Sequence, residues 1–257
     1  MTEQILETLD RGVLTLTLNR PERKNALTPA MYERLAYKLL TADADADVRV
    51  VVVTGAGDAF TSGNDLADFA GTPPAGPDSP VFRFLRALVA LEKPLVAVVN
   101  GTAVGVGVTM LLHCDLAFAA EGARFQLPFV NLGLVPEAAS SLLLPALAGH
   151  LRASELLLLG ERFDAAEAVR IGLVNRVHPA AELTSKAGEK IRALADQPGE
   201  AVRLTKQLLK GGRRAEVDAV LAREGELFVQ RLASPAAAEA FSAFFEKRRP
   251  DFRSVGE

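Results

Sequence analysis

The sequence predicts an α/β fold, a strand-and-helix core followed by a helical tail, and three observations carry the prediction. Residues 13–19 set Leu14, Leu16 and Leu18 against Thr15 and Thr17, the period of two of a half-buried strand. Residues 50–54 are nearly all Val and residues 95–99 are wholly apolar, as strands buried on both faces are. From about residue 139 onward the pattern turns helical, over 140–147, 152–159, 165–171, 182–195, 200–209, 214–232 and 235–247, punctuated by Gly160, Gly172 and Gly211-Gly212. A chain of 257 residues, 49% of them hydrophobic, can bury a sizeable core. The expected division is a core over 1–195 and a C-terminal helical region over 196–257. No internal sequence repeat of fixed period is present.

In order, the polar loop 20–27 follows the first strand, and Thr28-Pro29 supplies an N-cap and a Pro at the first helical position. Met31, Leu35, Leu39 and Leu40 give that helix its apolar face, and residues 43–47 form an acidic turn before the Val strand. The loop 55–60 leads to Thr61-Ser-Gly-Asn-Asp-Leu66, where another helical turn is expected to begin. Residues 71–79, with Gly71, Pro73, Pro74, Gly76 and Pro77, read as a mobile surface loop rather than a linker, because strand signals resume beyond it. Ser79-Pro80 and Ser234-Pro235 are expected helix caps, and 115–120 and 125–127 short strands.

Composition excludes several function classes. The net charge is −3 with acids and bases mixed, Trp is absent and Tyr numbers two, so neither a basic stripe nor a base-stacking platform is available for nucleic acid. One cysteine, Cys114, rules out an intrachain disulfide framework, and His113, His150 and His178 lack the close spacing of a zinc motif. No apolar run reaches membrane-spanning length. Met1-Thr-Glu-Gln has no signal-peptide character and Ser254-Val-Gly-Glu257 no peroxisomal address, so a cytoplasmic protein is expected. Gly105-Val-Gly-Val-Thr-Met110 lacks the third Gly of a dinucleotide loop, and no Gly-x-Ser-x-Gly elbow exists. Ser140-Ser141 with His150 resembles a hydrolase pair only on paper, since a helix N-cap suits either Ser.

Candidate chemistry converges on 100–137. The strand at 95–99 runs into Asn100-Gly101, a tight-turn pair, and then into Gly105-Val106-Gly107. Glycines on both sides leave the Val106 N–H accessible at a helix start, where unpaired donors and the positive dipole end suit a developing oxyanion. The same residues also fit a turn that merely packs closely. Ser62-Gly63 is a second small-residue turn, and two donors from separate strand ends can clamp one carbonyl oxygen. Glu137, after Leu134-Val-Pro and before Ala-Ala-Ser-Ser-Leu-Leu-Leu, is either a carboxyl whose pKa rises in apolar company or a first-turn helix acid after Pro136. Asp65 fits a helix cap or a brace for the Ser62 turn, Asp115 a strand start satisfying backbone donors, and His113 and Cys114 packing positions.

Together these residues resemble the crotonase superfamily, which includes enoyl-CoA hydratases and isomerases. Leu18-Asn-Arg-Pro-Glu-Arg-Lys-Asn-Ala-Leu27 is similar to its opening signature, Ala59-Phe-Thr-Ser-Gly-Asn-Asp-Leu66 to its first oxyanion segment, and 100–115 to its second. The resemblance covers nearly the whole chain. It implies a spiral of ββα turns, a C-terminal region that trimerises, assembly as a homotrimer or dimer of trimers, and an acyl-CoA thioester as substrate, with no metal or other cofactor. It implies Ser62 and Val106 as oxyanion donors, CoA contacts along Lys24, Ala26, Leu27, Ser62, Gly63, Asn64, Asp65, Leu66, Gly105 and Val106, and phosphate contact by Lys24 or Lys247. The two glutamates of the hydratases match Thr109 and Phe129, which speaks against water addition. Glu137 matches the single catalytic glutamate of peroxisomal-type Δ3,Δ2-enoyl-CoA isomerases, which share the run Asn131-Leu-Gly-Leu-Val-Pro-Glu-Ala-Ala-Ser-Ser141. The implied reaction is a double-bond shift in a 3-enoyl-CoA, with Phe129, Leu134 and Leu142 lining the acyl pocket; the alternatives are an enoyl-CoA hydratase or other CoA-ester activity, and an acyl-CoA-binding protein without turnover.

Overall fold

Strands and helices alternate along the chain, and the first of each come from the segments with the strongest periodicity. The computed structural model describes residues 3–71 and 73–255. The terminal residues read for targeting, 1–2 and 256–257, and Thr72 of the Pro-rich loop lie outside the described residues. The strands are β1 (Ile5–Asp10), β2 (Val13–Leu18), β3 (Val50–Gly55), β4 (Ala59–Thr61), β5 (Leu95–Val99), β6 (Thr102–Val104), β7 (Leu116–Ala120), β8 (Arg124–Gln126), β9 (Arg162–Asp164) and β10 (Arg176–His178). The helices are α1 (Pro29–Ala44), α2 (Leu66–Gly71), α3 (Pro80–Ala90), α4 (Val106–Thr109), α5 (Ser140–Ala148) and α6 (His150–Leu159). They continue with α7 (Ala165–Arg170), α8 (Ala180–Ala195), α9 (Gly199–Gly211), α10 (Arg214–Leu232) and α11 (Pro235–Phe245).

Six strands form one sheet in the order β1-β2-β3-β5-β7-β10, and β4-β6-β8-β9 form a second. The successive pairs β3–β4, β5–β6 and β7–β8 each give one strand to each sheet before helical segments carry the chain onward. Neighbours inside each sheet run parallel except β1 with β2 and β8 with β9. This is the expected spiral of ββα turns. The Val run of β3 explains why its strand is central. Val51 and Val53 join the core cluster that includes Leu35 and Leu39 of α1 and Phe84 and Leu85 of α3. Val50 and Val52 face the other way, where Leu183, Ala187 and Ile191 of α8 cover them. Both faces of the strand are thus dry, which is what a continuous apolar run requires.

The strands that sequence periodicity misses have physical reasons for being missed. β1 buries Ile5 and leaves most of the strand exposed, because it is an edge strand. β4, β6, β9 and β10 have three residues each, too few to establish a period of two. Thr28 caps α1, its hydroxyl accepting from the Met31 N–H at 3.2 Å, and Ser234 caps α11 in the same way. Ser79 does not cap α3: its hydroxyl donates to the Gly76 carbonyl at 2.7 Å and tightens the preceding loop. The C-terminal helices fold back onto the core. Lys206 and Lys210 of α9 hold Asp115 at 2.8 and 2.9 Å, and the Asp115 carboxylate also accepts from the Leu95 N–H. Among the described residues no helix is long and apolar enough to cross a membrane.

Candidate active site

The loop 20–28 and the segment 61–66 are zipped together, and the zip decides which amides are free. Asn25, fully buried, donates to the carbonyls of Ala56 and Ala59 and accepts from the Arg20 N–H. Its carbonyl accepts from the Thr61 hydroxyl at 2.7 Å. Leu27 and Asn64 form a parallel bridge: the Leu27 N–H donates to the Gly63 carbonyl and the Asp65 N–H donates to the Leu27 carbonyl. In such a bridge the paired groups belong to the residues flanking Asn64, so Asn64's own N–H points the other way. Asp65 caps α2 by accepting from the Ala67 N–H at 3.2 Å and pairs with Arg20 at 3.0 Å, so it both caps and braces.

This arrangement corrects the expectation for Ser62. The Ser62 N–H donates to the Lys24 carbonyl at 2.9 Å and is not available to a ligand. The Gly63 N–H is likewise taken, by the Thr61 hydroxyl at 3.1 Å. The Asn64 N–H meets no acceptor among the described residues, and it takes Ser62's place as the candidate donor from this segment.

The second segment frees its donor by a backbone flip. Gly105 sits at φ 54, ψ −116, a conformation closed to residues with a side chain, and α4 starts immediately after it. The Gly105 carbonyl accepts from both Val108 and Thr109, so the Val106 N–H remains unpaired at the helix start among the described residues. The two segments touch. β4 and β6 pair Thr61 with Ala103, a Cβ on Gly63 would lie 2.9 Å from the Val104 carbonyl oxygen, and one on Gly107 would lie 2.5 Å from a Thr61 methyl. The glycines here serve both close approach and donor access.

Glu137 is 2% exposed, and its Oε1 has no hydrogen-bond partner among the described residues. Burial, and then the charge of Glu224, push its pKa up to about 8. The first-turn reading fails, because α5 begins only at Ser140 with Ala139 as its cap residue. Between them Ala138 and Ala139 both adopt left-handed backbone, at φ 60 and 56. Such residues each cost roughly 1–3 kcal/mol and persist only where surroundings impose them. Here two side chains do so. The His113 Nε2 lies 2.8 Å from the Ala138 carbonyl, and Glu224 of α10 accepts from the Ala139 N–H at 2.6 Å. Burial drops the His113 pKa to about 4, so the ring is neutral and its Nε2–H donates. Burial also lifts the Cys114 thiol to about 12, which leaves it inert. Neither Ser140 nor Ser141 is the N-cap expected of them. The Ser141 hydroxyl and N–H both donate to Glu224, and the Ser140 hydroxyl is buried without a partner among the described residues.

Tyr32 of α1 ties the parts together. Its hydroxyl donates to the Asn64 Oδ1, and its own pKa is raised by burial and then by the nearby Glu137 charge. The Asn64 turn therefore lies against the segment that carries Val106, and Tyr32, bonded to it, senses the charge of Glu137. Tyr32, Glu224 and the role of Asn64 escaped sequence reasoning. A signal existed for Glu224: it occupies a buried position in the helical series Val217, Leu221, Glu224, Phe228, where an acid is out of place.

The remaining expected contacts divide. Leu66 opens α2 beside the zip, and Leu27 is buried within it. Ala26 has both backbone groups engaged, its N–H by the Arg23 carbonyl and its carbonyl by Arg20 at 2.7 Å. Lys24 is exposed and pairs with Asp58 at 2.6 Å, while Lys247 is exposed just beyond α11. Phe129 and Leu134 are buried and Leu142 is half-buried. A groove of about 670 Å³ borders the Pro-rich loop at Gly76 and Pro77, but Phe82, Leu221 and Val229 of α3 and α10 line it, not Phe129, Leu134 or Leu142.

Residues 8–255 match the family described as enoyl-CoA hydratase/isomerase. The 1,2-epoxyphenylacetyl-CoA isomerase of Escherichia coli (strain K12) is 38% identical, with 98% of this chain and 99% of that protein covered. Enoyl-CoA delta isomerase 2 of Rattus norvegicus is 36% identical over 95% of this chain and 64% of its own length. The crystal structure of an enoyl-CoA hydratase/isomerase from Pseudoalteromonas atlantica T6c superposes with a TM-score of 0.92 at 45% identity, covering 97% of this chain and 100% of that one. With the spiral fold and the two adjoining amide-bearing turns, these matches identify the chain as a member of the enoyl-CoA hydratase/isomerase family, the crotonase superfamily of CoA-ester enzymes.

Proposed function

We propose that the protein shifts the double bond of a 3-enoyl-CoA into conjugation, giving the 2-trans-enoyl-CoA. Glu137 removes a proton from the carbon alpha to the thioester, and the electron pair moves onto the thioester oxygen. The Asn64 and Val106 N–H groups hold that enolate oxygen. Glu137, now a neutral acid, returns the proton at the gamma carbon. One carboxyl serves as base and then as acid, so its pKa should lie near neutrality. The observation that carries this reading is Glu137 itself, buried, with an unpaired oxygen and a pKa pushed up to about 8. Thr109 and Phe129 stand buried at the positions that match the two hydratase glutamates, which speaks against water addition. Lys24 and Lys247 remain the candidates for the CoA phosphates, with 24–27 and 62–66 along the CoA moiety and no metal or redox cofactor required.

The test is a direct comparison of 3-hexenoyl-CoA isomerisation with hydration of crotonyl-CoA by the same preparation. Isomerisation as the dominant activity supports the proposal; hydration as the dominant activity overturns it. The pH dependence has a definite sign. Glu137 must be ionised to accept the first proton, so kcat/KM rises with pH and levels off above a midpoint near 8, the value for the ligand-free protein. A rate that falls across that range would contradict Glu137 as the base.

The assembly proposed is a homotrimer or a dimer of trimers. Leu151 and Leu158 of α6 and Leu208 and Leu209 of α9 are 84%, 68%, 85% and 81% exposed, apolar side chains that association would cover. Mass photometry should return three or six copies; a monomer at micromolar concentration would refute the assembly.

A further inference from the structure

We propose that Glu224 is the positioning residue of the site, clamping the left-handed Ala138-Ala139 pair so that Glu137 faces the substrate, a role that rests on Glu137 being the base. Glu224 lies on α10, far along the chain, yet its carboxylate accepts from the Ala139 N–H at 2.6 Å, the Ser141 N–H at 2.9 Å and the Ser141 hydroxyl at 2.5 Å. It is 6% exposed, and no cation pairs with it among the described residues. Burial raises the Glu224 pKa, and the three hydrogen bonds oppose that rise by favouring the carboxylate. One of those bonds falls on Ala139, itself left-handed, and two on Ser141 at the start of α5, the stretch that follows Glu137.

The arrangement divides labour between two acids. Glu224 takes the donors, and Glu137 keeps an unpaired oxygen, so Glu137 is the carboxyl that changes charge during turnover. The titratable groups around the pair are Tyr32 from α1, whose pKa is raised by burial and then by the Glu137 charge, and neutral His113, bonded to the Ala138 carbonyl. Lys210 of α9 donates to the His113 carbonyl, and after burial the charges of Lys210 and Lys206 add to the lowering of the His113 pKa. Removing the Glu224 charge therefore lowers the Glu137 pKa and moves the midpoint of the rate profile to lower pH. Replacing one oxygen by an NH₂ sets donor against donor at Ala139 or Ser141 and turns Glu137 away from the substrate.

The experiment compares wild type, Glu224→Gln, Glu224→Asp and Glu137→Gln with 3-hexenoyl-CoA across pH, folding being followed by circular dichroism. Glu224→Gln is expected to lower kcat by roughly tenfold or more with KM little changed, and to shift the pH midpoint downward. Glu224→Asp keeps the charge and so keeps the midpoint, while its shorter reach lowers kcat. Folded Glu224→Gln with the wild-type kcat and midpoint overturns the proposal. If Glu224→Gln does not fold, Ser141→Ala, which removes the hydroxyl donor, is expected to lower kcat several-fold at unchanged KM; an unchanged kcat there overturns the proposal equally. Loss of activity in Glu137→Gln alongside a silent Glu224→Gln defeats the positioning role alone, whereas an active Glu137→Gln defeats the base assignment beneath it.

Discussion

Replacing Glu137 by Gln lowers kcat for 3-enoyl-CoA isomerisation by roughly 10²–10⁴-fold, the range that a positioned acid–base group supplies. The substitution removes a buried carboxyl with an unpaired oxygen while preserving its shape. Both halves of the reaction use this group, so neither proton transfer survives in its place. Stability should move the opposite way. The folded-state pKa of Glu137 is raised from 4.5 to about 8, so its contribution to stability is complete below about pH 4.5 and is lost as pH rises through 8. Every pH unit separating the two values corresponds to about 1.4 kcal/mol, so the effect on the melting temperature is measurable. Glu137→Gln removes this pH dependence, and its Tm exceeds that of wild type at pH 8. A variant both inactive and destabilised at every pH would indicate a structural acid instead.

Val106→Pro deletes one oxyanion donor and nothing else of the backbone network, and roughly a 10²–10³-fold loss of kcat follows. The backbone accepts Pro at this position. Val106 is the first residue of α4, where Pro is favoured, and its N–H makes no bond that would be lost. The residue before it is Gly105 at φ 54, free of the Cβ that Pro would crowd. The Val106 side chain is buried, so it also matters to packing. Val106→Ala serves as the control, trimming the side chain while keeping the N–H. Steady-state kinetics should show Ala near wild type and Pro strongly impaired in kcat. Equal activity in the two would remove Val106 from the oxyanion role.

Local pattern revealed the α/β core and its helical tail, whereas the spiral of ββα turns and the choice of Glu137 came from the family resemblance. The Val run of β3 and the Leu–Thr alternation of β2 declare their faces directly, and the Pro29, Pro80 and Pro235 helix starts mark themselves. The short strands of the second sheet carry no such period; the winding of the chain puts them in place. At the site, a turn with accessible amides was legible at 61–66, but which amide stays free was not. Ser62 and Asn64 look equally eligible until the Lys24 carbonyl, from a loop well upstream, takes the Ser62 N–H. The same limit hid Tyr32 and Glu224, which reach Asn64 and Ala139 from helices remote in sequence. Hydrogen-bond bookkeeping across the fold, not residue type, assigns those roles.

The measurement that bears most directly on the central claim is a crystal structure of Glu137→Gln with 3-hexenoyl-CoA bound. The thioester oxygen should lie about 2.7–3.2 Å from both the Asn64 and the Val106 nitrogens. The carboxamide standing in for the Glu137 carboxylate should face the alpha and gamma carbons from one side. A thioester oxygen held elsewhere, or an acyl chain whose alpha carbon is turned from position 137, would contradict the account.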